Sequence, residues 1–331
     1  MMHVSNREFP DDFRPRIIVW QLTRRNGFFP LSADLLTLHE CLLILDSIAR
    51  LAKPIVVLTG PKLIDRCDLH ELVDYGNALG LKMIAELQPE EITGSLLDQF
   101  HAFGARTIRL IIDDRIVEEM NTRFAQSQSL DSLERAIGLL RSKGYEIHFS
   151  LTITQPHLRK LSFNLDYAFR SNAKGLYCHL RFDKTVPEVM IFADEVESLD
   201  EFIGKISDMK TLVPSDMYVS PQCVKFAPFP LNEQMDFDFS DMKHPRWIHQ
   251  CLAGKTFAFI DEIGKVYMCS GMCKECGDLR EEHFDFKKIW TGSELLQQLR
   301  DHQRSCVQTR LMIKNQNKSV NYQYEITDQD I

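Results

Sequence analysis

Short, mostly apolar runs alternate with longer amphipathic segments between residues 16 and 183. Near-continuous apolar runs are typical of strands buried on both faces of a parallel sheet, and the segments between them have the period of covering helices. Six such units predict an α/β fold, a partial (βα)6 TIM-like barrel, because a closed barrel needs eight units. The candidate strands are Ile17–Thr23, Pro54–Thr59, Lys82–Leu87, Thr107–Asp113, Glu146–Thr154 and Gly175–Phe182.

Two of the predicted helices begin and end with recognisable signals. Asp68 and Asp131 each stand three residues before a glutamate, a spacing that can satisfy the first free amides of a helix. Gly80 and Gly144 then stand where a left-handed residue ends a helix. Because the active residues of such barrels lie on the loops that follow the strands, those loops are where ligand contacts are expected.

The alternation breaks after residue 183, where one helix, one edge strand and a connection rich in Pro, Phe and acidic residues are predicted. The last residues are polar and nearly without aliphatic side chains, so they are predicted to be disordered. We therefore expect a barrel followed by a small cysteine-rich α+β domain. The segments are an N-terminal extension (1–15), the barrel (16–235), the small domain (236–313) and the tail (314–331), with the helix at Ser198–Leu212 and the edge strand at Met217–Val219.

Composition excludes several kinds of partner. A net charge of -8 and a pI near 5.8 argue against nucleic-acid binding, which uses clustered Lys and Arg. No apolar run approaches the roughly 20 residues that span a bilayer, and the first residues lack a signal-peptide pattern, so a cytoplasmic protein without a membrane partner is expected. Nine cysteines, four of them within residues 251–276, favour metal binding or reduced thiols over disulfides in that compartment.

The C-terminal cysteines surround a predicted hairpin. Phe257–Ile260 and Val266–Met268 have the pattern of two short strands, and Gly264 supplies the unusual backbone angle of the turn between them. A hairpin returns the chain to its start, so the flanking cysteines could supply four thiolates to an iron–sulfur cluster or to tetrahedral zinc. Ordinary packed thiols are the plain alternative. The predicted ligands are Cys251, Cys269, Cys276 and Cys306, with Cys273 as a substitute.

Several segments resemble radical S-adenosylmethionine (radical SAM) enzymes, and more narrowly the branch with a C-terminal SPASM or Twitch auxiliary-cluster domain that acts in alternative haem and haem d1 synthesis. The resemblance implies one auxiliary [4Fe–4S] cluster held by the C-terminal cysteines, a tetrapyrrole or peptide substrate, and a protein partner in the same pathway. Gly264 and three of the cysteines fall at the family's positions. The segments are Ile18–Thr23, Lys53–Gly60, Cys251–Ile260 and Gly277–Glu282.

The chain departs from this family at two cofactor-binding elements. The family's CxxxCxxC motif follows the first strand, where this chain has Asn26–Ala33 and no cysteine from Met1 to His39. The family's Gly-Gly-Glu-Pro segment follows the second strand, where this chain has Gly60-Pro61-Lys62-Leu63 after Thr59. Lys62 would repel the methionyl ammonium that the glutamate holds in the family. Thr59 and Gly60 are therefore interpreted as vestigial cofactor-binding positions, and S-adenosylmethionine binding is not expected.

The other cysteines and two histidines have simple structural interpretations. Cys41 lies in an apolar helix pattern and Cys178 in a strand, so both are expected in the core. Cys67 follows the second strand on a loop, but one thiol holds no cluster. His148 and His179 lie within strands, where an interior histidine with polar partners is favoured over a tetrapyrrole or metal ligand.

Three functions remain compatible with the sequence. The favoured hypothesis is a non-catalytic radical-SAM-like protein that carries one auxiliary cluster and serves as a binding or partner subunit in tetrapyrrole biosynthesis or peptide modification. A second is a redox enzyme of haem or haem d1 biosynthesis that acts through the auxiliary cluster without S-adenosylmethionine. A third is a zinc-binding structural module. The loss of two separate cofactor-binding elements favours the first.

Overall fold

The computed structural model describes residues 13–24, 35–113, 116, 128–153, 167–168, 170–180, 218–221, 253–269 and 275–301. All six predicted barrel strands are present within this part of the chain, and their ends differ from the prediction by only one or two residues. The strands are β1 (Ile17–Gln21), β2 (Ile55–Thr59), β3 (Lys82–Leu87), β4 (Thr107–Ile112), β5 (Glu146–Ile153), β6 (Gly175–Leu180), β7 (Tyr218–Pro221), β8 (Phe257–Ile260), β9 (Lys265–Tyr267) and β10 (Gly277–Asp278).

Four of the described helices lie between the first five strands, as the alternation predicts, and the last two follow β10. None of the described helices is both long enough and apolar enough to cross a membrane. The predicted helix at Ser198–Leu212 lies outside the described residues. The helices are α1 (Leu38–Leu51), α2 (Leu69–Ala78), α3 (Gly94–Ala102), α4 (Gln128–Ser142), α5 (Phe286–Gly292) and α6 (Glu294–Asp301).

The first of two compact units comprises the described parts of Met1–Ala85, Gln99–Ala105 and Leu252–Gln303. Within it β1 pairs in parallel with both β2 and β8, and β2 pairs in parallel with β3. Strands β9 and β10 then continue antiparallel from β8. The alternate residues of four strands form one apolar cluster: Ile17, Val19, Val57, Ile84 and Phe257, with Ile55, Phe259 and Cys269 packed against it.

The second compact unit comprises the described parts of Glu86–Asp98 and Arg106–Cys251. Strands β4, β5, β6 and β7 pair in parallel in chain order. Strand β7 overlaps the predicted edge strand at Tyr218 and Val219, and β6 is its only neighbour among the described strands. The fold is therefore a mixed α/β structure with a parallel-sheet core of the partial-barrel type. Each compact unit combines segments that are separate along the chain, so the units do not test the predicted domain boundaries, which stay a prediction.

Helix α1 shows how the sequence fixes one element. Its buried positions include Cys41, Ile44, Leu45 and Ile48, the three- and four-residue spacing of one helix face. Thr37 and Glu40 form a capping box: the Thr37 hydroxyl accepts from the Glu40 N–H at 3.3 Å, and the Thr37 N–H donates to Glu40 Oε2 at 2.7 Å. The helix therefore begins where two free amides are satisfied.

Both capping patterns predicted at the sequence level are wrong. Asp68 stands at the start of α2, but its carboxylate caps no amide there because it accepts from Arg66 Nε at 2.7 Å and Nη2 at 3.0 Å. Helix α4 begins at Gln128, so Asp131 lies inside the first turn. The predicted left-handed glycines are confirmed: φ is +77° at Gly80 and +72° at Gly144.

The backbone requirement at Gly144, just after α4, gives a stability prediction with a matched control inside that helix. An added Cβ meets no atom within 4 Å at either Gly144 or Gly138, but only Gly144 has a positive φ. We expect Gly144→Ala to lower the free energy of unfolding by about 1–2 kcal/mol, the cost of a left-handed L-residue. Gly138→Ala, at an exposed site inside α4, should raise it by roughly 0.5–1 kcal/mol. Urea denaturation measures both, and a neutral Gly144→Ala would contradict the argument.

Candidate functional site

The ends of β1 and β2 remain paired beyond the sheet. The Leu22 N–H donates to the Thr59 carbonyl at 2.8 Å, and the Thr23 hydroxyl donates to the Pro61 carbonyl at 2.8 Å. Gly60 has φ +138°, and a Cβ there would lie 2.3 Å from Thr23 Oγ1. Thr59 and Gly60, the predicted cofactor-binding positions, therefore lie directly beside the residues that lead into the segment 25–34, and glycine is needed for that close approach.

A buried arginine joins the two described ends of that segment. Arg66 Nη1 donates to the Leu22 carbonyl at 3.3 Å, and Nη2 donates to the Leu36 carbonyl at 3.0 Å. The same guanidinium forms an ion pair with Asp68, and the Arg66 side chain is only 10% exposed. A planar fork can bind several acceptors at once, which a lysine ammonium cannot do with the same geometry. Arg66 therefore fixes residues on both sides of the segment where the family carries its cluster cysteines.

The thiol of Cys41 lies against the same guanidinium. Its Sγ accepts from Arg66 Nη2 at 3.4 Å, and the residue is fully buried. Burial raises the pKa of the Cys41 thiol to about 12, although the nearby Arg66 charge acts in the opposite direction. The thiol is therefore protonated near neutral pH, which makes Cys41 a core residue, as predicted, and a poor metal ligand.

The turn between β8 and β9 contacts the residues on the N-terminal side of segment 25–34. Glu262 Oε2 accepts from Gln21 Nε2 at 2.9 Å, and Oε1 accepts from Arg24 Nε at 2.6 Å. The Glu262 carbonyl also accepts from the Leu36 N–H at 3.1 Å, on the other side of segment 25–34. One residue of the C-terminal hairpin therefore binds both sides of the segment.

Arg280, two residues after the end of β10, binds the other side of segment 25–34. Its Nη2 donates to the Leu35 carbonyl at 3.2 Å, and its Nε donates to Glu40 Oε1 at 3.1 Å. The hydrogen bond from Arg280 is the largest cause of a lowered pKa at Glu40. We refer to Arg66, Glu262 and Arg280 together as the polar clamp. Sequence patterns gave no sign of it, because its partners are as far as 245 residues apart along the chain.

The C-terminal hairpin forms as predicted. Gly264 has φ +95°, and its N–H donates to the Asp261 carbonyl at 3.1 Å. The Asp261 carboxylate closes the turn by accepting from the Ile263 and Lys265 N–H groups at 3.1 and 2.8 Å. Cys269 follows β9 and packs against the apolar cluster of the first unit. The Cys276 N–H donates to the Val266 carbonyl at 2.7 Å, three residues before Cys269.

The structure thus brings two of the predicted ligands, Cys269 and Cys276, to the same end of the hairpin. Cys251, Cys273 and Cys306 lie outside the described residues. In the part of the chain that the structure describes, no group of three or more His, Cys, Asp and Glu side chains is placed to hold a metal ion. The four-cysteine ligand set therefore stays a prediction.

A row of buried polar side chains lies within the second unit. Arg109 is fully buried, and its Nη1 donates to Glu86 Oε2 at 3.3 Å. The guanidinium carbon lies 3.7 Å from the centre of the Tyr177 ring, which stacks on His148 at 5.6 Å. His148 Nε2 lies 2.7 Å from Glu146 Oε1. His148 is therefore an interior histidine with a carboxylate partner, as the sequence favoured.

Comparison with known proteins finds curated relatives that match most of the chain. No protein-family model matches the sequence. An AdoMet-dependent heme synthase of Methanosarcina barkeri is 23% identical over 307 residues, which is 87% of this chain and 85% of the relative. Mycofactocin maturase MftC of Mycobacterium tuberculosis is 22% identical over 276 residues, 81% of this chain and 66% of the relative.

The solved structures agree on the fold. Streptococcus suis SuiB superposes with a TM-score of 0.59 at 14% identity, covering 88% of this chain and 68% of SuiB. SuiB has also been solved bound to S-adenosylmethionine and bound to the precursor peptide SuiA. The similarity to AdoMet-dependent heme synthases over most of the chain supports a place near the haem branch of the radical SAM superfamily. The recognition and the fold class predicted from sequence are thereby confirmed.

The contacts of Arg66 predict a large loss of stability when its guanidinium is removed. Arg66→Met would leave Asp68 and two backbone carbonyls without their donor, and we expect the free energy of unfolding to fall by about 3–5 kcal/mol. Arg135→Met is the control, because Arg135 is exposed on α4 and its Nη2 donates to the exposed side of the same helix, at Ser132 Oγ 3.4 Å away. That change should stay within about 0.5 kcal/mol. Equal effects of the two changes in urea denaturation would contradict a clamping role.

The raised pKa of Cys41 predicts selective thiol chemistry. With a pKa of about 12, only about one Cys41 thiol in 10⁴ is ionised at pH 8, and the residue is buried, so iodoacetamide should not modify it in the folded protein. Cys67 is exposed and should react. Both should react in urea. Peptide mass spectrometry measures the modification of both cysteines. Modification of Cys41 at the rate of Cys67 without denaturant would contradict the burial of Cys41.

Proposed function

We propose that this protein is a radical-SAM-like binding or partner subunit that does not perform classical radical SAM catalysis and carries one auxiliary [4Fe–4S] cluster. The observation that carries the proposal is the clamping of Leu22 and Leu36 by Arg66, on either side of a segment without cysteine. A radical SAM cluster needs three thiolates there. Cys41, the thiol that contacts the clamp, is buried and protonated, so it does not fit that requirement.

The loop after β2 supports the same conclusion. Lys62 is exposed and has a left-handed backbone with φ 52°, directly after the Gly60–Pro61 pair that packs on Thr23. The positive side chain of Lys62 stands where the family has the carboxylate that holds the methionyl ammonium of S-adenosylmethionine. Both elements that bind S-adenosylmethionine are thus altered, and the alterations lie on adjacent strand ends.

The C-terminal cysteines fit an iron–sulfur cluster better than the side chains of the N-terminal segment do. Of the ligands we propose, Cys269 and Cys276 are in the described part of the chain. The others are Cys251 and Cys306, with Cys273 as a substitute. Thiolates are the usual ligands of such clusters. A bound cluster would supply single-electron transfer, while the protein's own residues position it at the end of the hairpin.

The relatives suggest the ligand to test first. The heme synthases match the chain over more of its length than the peptide maturase does, so we propose a tetrapyrrole ligand before a peptide. A protein partner in the same pathway would supply any radical chemistry. The alternative is a redox enzyme that uses the auxiliary cluster directly, and the same experiment separates the two.

The test is the iron, sulfide and zinc content of anaerobically purified protein, followed by S-adenosylmethionine binding measured by calorimetry. We expect about four irons with matching sulfide per chain, as for a single [4Fe–4S] cluster. We expect no S-adenosylmethionine binding and a shift of the Soret band when an iron porphyrin is added. Cys269→Ala and Cys276→Ala should lose the iron, whereas Cys67→Ala, at an exposed cysteine on another loop, should keep it.

Other outcomes would contradict the proposal in distinguishable ways. About eight irons together with 5′-deoxyadenosine release under dithionite would establish classical radical SAM catalysis. Turnover of the porphyrin by an external reductant without S-adenosylmethionine would establish the redox enzyme. One zinc without sulfide would leave a structural module.

A further inference from the structure

Four buried polar side chains of the second unit come from four successive strands. Glu86 stands near the end of β3, Arg109 on β4, His148 on β5 and Tyr177 on β6. Their exposed fractions are 8%, 0%, 5% and 3%. Arg109 and His148 are partners in the register of their strands, so both lie on the same face of the sheet. Because a polar group costs free energy in the interior unless it has partners, specific contacts must hold this row.

The ring of His148 has a fixed position within the row. It stacks on the Tyr177 ring, with 5.6 Å between the ring centres and 24° between the ring planes. Gly175 is the register partner of His148 on β6. A Cβ at Gly175 would lie 3.0 Å from His148 Nδ1 and 3.1 Å from Tyr177 Cε2. Glycine therefore leaves the space that the two rings fill.

A carboxylate at the edge of the row holds this ring. His148 Nε2 lies 2.7 Å from Glu146 Oε1, which is the length of a charge-assisted hydrogen bond. The His148 side chain is 7% exposed, whereas the Glu146 side chain is 42% exposed. Glu146 therefore joins the buried ring to the solvent, with which the ring can exchange a proton.

The charges around the ring favour a proton on His148. The described contacts connect the ring to the carboxylates of Glu86 and Glu146 and to the guanidinium of Arg109. Tyr177 adds no charge, because burial raises the pKa of its phenol and the Arg109 charge only partly opposes that rise. Two carboxylates thus accompany one guanidinium, and an imidazolium would balance them.

Two effects oppose that proton. Burial disfavours a charged ring, and Arg109 on the neighbouring strand carries a like charge. The Arg109 charge has its own partners, however: Nη1 donates to Glu86 Oε2 at 3.3 Å, and the guanidinium carbon lies 3.7 Å from the centre of the Tyr177 ring. The carboxylate in direct contact with His148 therefore has the larger effect on the ring.

We propose that His148 is a pH-sensitive switch that stabilises the second unit when its ring carries a proton. The proposal is independent of the proposed function, because it needs neither a cluster nor a ligand. At low pH the imidazolium binds the Glu146 carboxylate and balances the row. As the pH rises through the range in which histidine loses its proton, about 6 to 8, the row is left with one excess negative charge.

The direction of the pH dependence follows from linkage. A proton that the folded chain binds more tightly than the unfolded chain stabilises the fold at a pH below the titration of the unfolded chain. That contribution falls as the pH rises, and it is absent once the folded chain has also lost the proton. We therefore expect the second unit to be more stable at about pH 6 than at about pH 8.

The experiment compares the wild type with Glu146→Gln and His148→Gln in the full chain. Glu146→Gln removes the charge but keeps an acceptor of the same shape. NMR of isotope-labelled histidine rings follows the proton on His148, whose signal is the one missing from His148→Gln. We expect the wild-type ring to keep its proton to a higher pH than the same ring in Glu146→Gln.

Urea denaturation measures the effect on stability. Between about pH 6 and about pH 8, the unfolding equilibrium constant of the wild type should rise roughly fivefold more than that of either variant. His70→Gln is the control, because His70 Nε2 lies 3.9 Å from Glu71 Oε1 and both side chains are about half exposed. Such a surface pair adds little stability, so this variant should follow the wild type.

Two results would overturn the proposal. One is a wild-type His148 ring that loses its proton at the same pH as in Glu146→Gln, or at a lower pH. The other is an equal rise of the unfolding constant in the wild type and in folded Glu146→Gln. Gly175→Ala, whose added methyl group meets the His148 ring, identifies the signal if His148→Gln does not fold.

Discussion

The parallel pairing of β8 with β1 is the interaction on which the first compact unit depends. Ile17 pairs with Phe257, and Trp20 with Ile260, across about 240 residues of sequence. Because such a pairing closes a very long loop, it needs a large apolar contribution, which the cluster around Val19 and Val57 supplies. Once β8 is fixed, the hairpin that follows it must lie beside the end of β1.

The polar clamp is a consequence of that placement. Glu262 lies in the turn between β8 and β9, and Arg280 lies two residues after β10. Both side chains therefore reach the residues around segment 25–34 only while β8 is paired with β1. Their charged contacts are partly exposed and add little stability each. Arg66 differs because it is buried with its carboxylate and its carbonyl partners. We infer that packing stabilises the unit and that the clamp specifies where the two chain ends lie.

The sequence predicted the elements better than the contacts between them. The barrel strands were found because a buried parallel strand is apolar along its whole length, a signal contained in a few adjacent residues. The hairpin was found because Gly264 permits a turn that few other residues adopt. The cap at Asp68 was predicted wrongly, since a local pattern cannot show that Arg66, two residues earlier, takes the same carboxylate.

At the candidate site, too, local features were predicted and long-range contacts were not. The spacing around the hairpin predicted that its flanking cysteines could supply one set of thiolates, and of these Cys269 and Cys276 lie in the described part of the chain. Arg66, Glu262 and Arg280 were missed, since each binds partners that only the folded chain brings near. The domain boundaries and the residues beyond the described ranges cannot be judged in the same way, and they stay predictions.

Two arginines of the first unit bind backbone carbonyls from distant parts of the chain. Arg66 donates to the Leu22 and Leu36 carbonyls and pairs with Asp68. Arg300 donates to the Gly254 and Trp290 carbonyls. Burying a cation costs free energy that its partners must offset. Each guanidinium therefore favours the one arrangement of the chain in which its acceptors stay together, and this makes both contacts specific as well as stabilising.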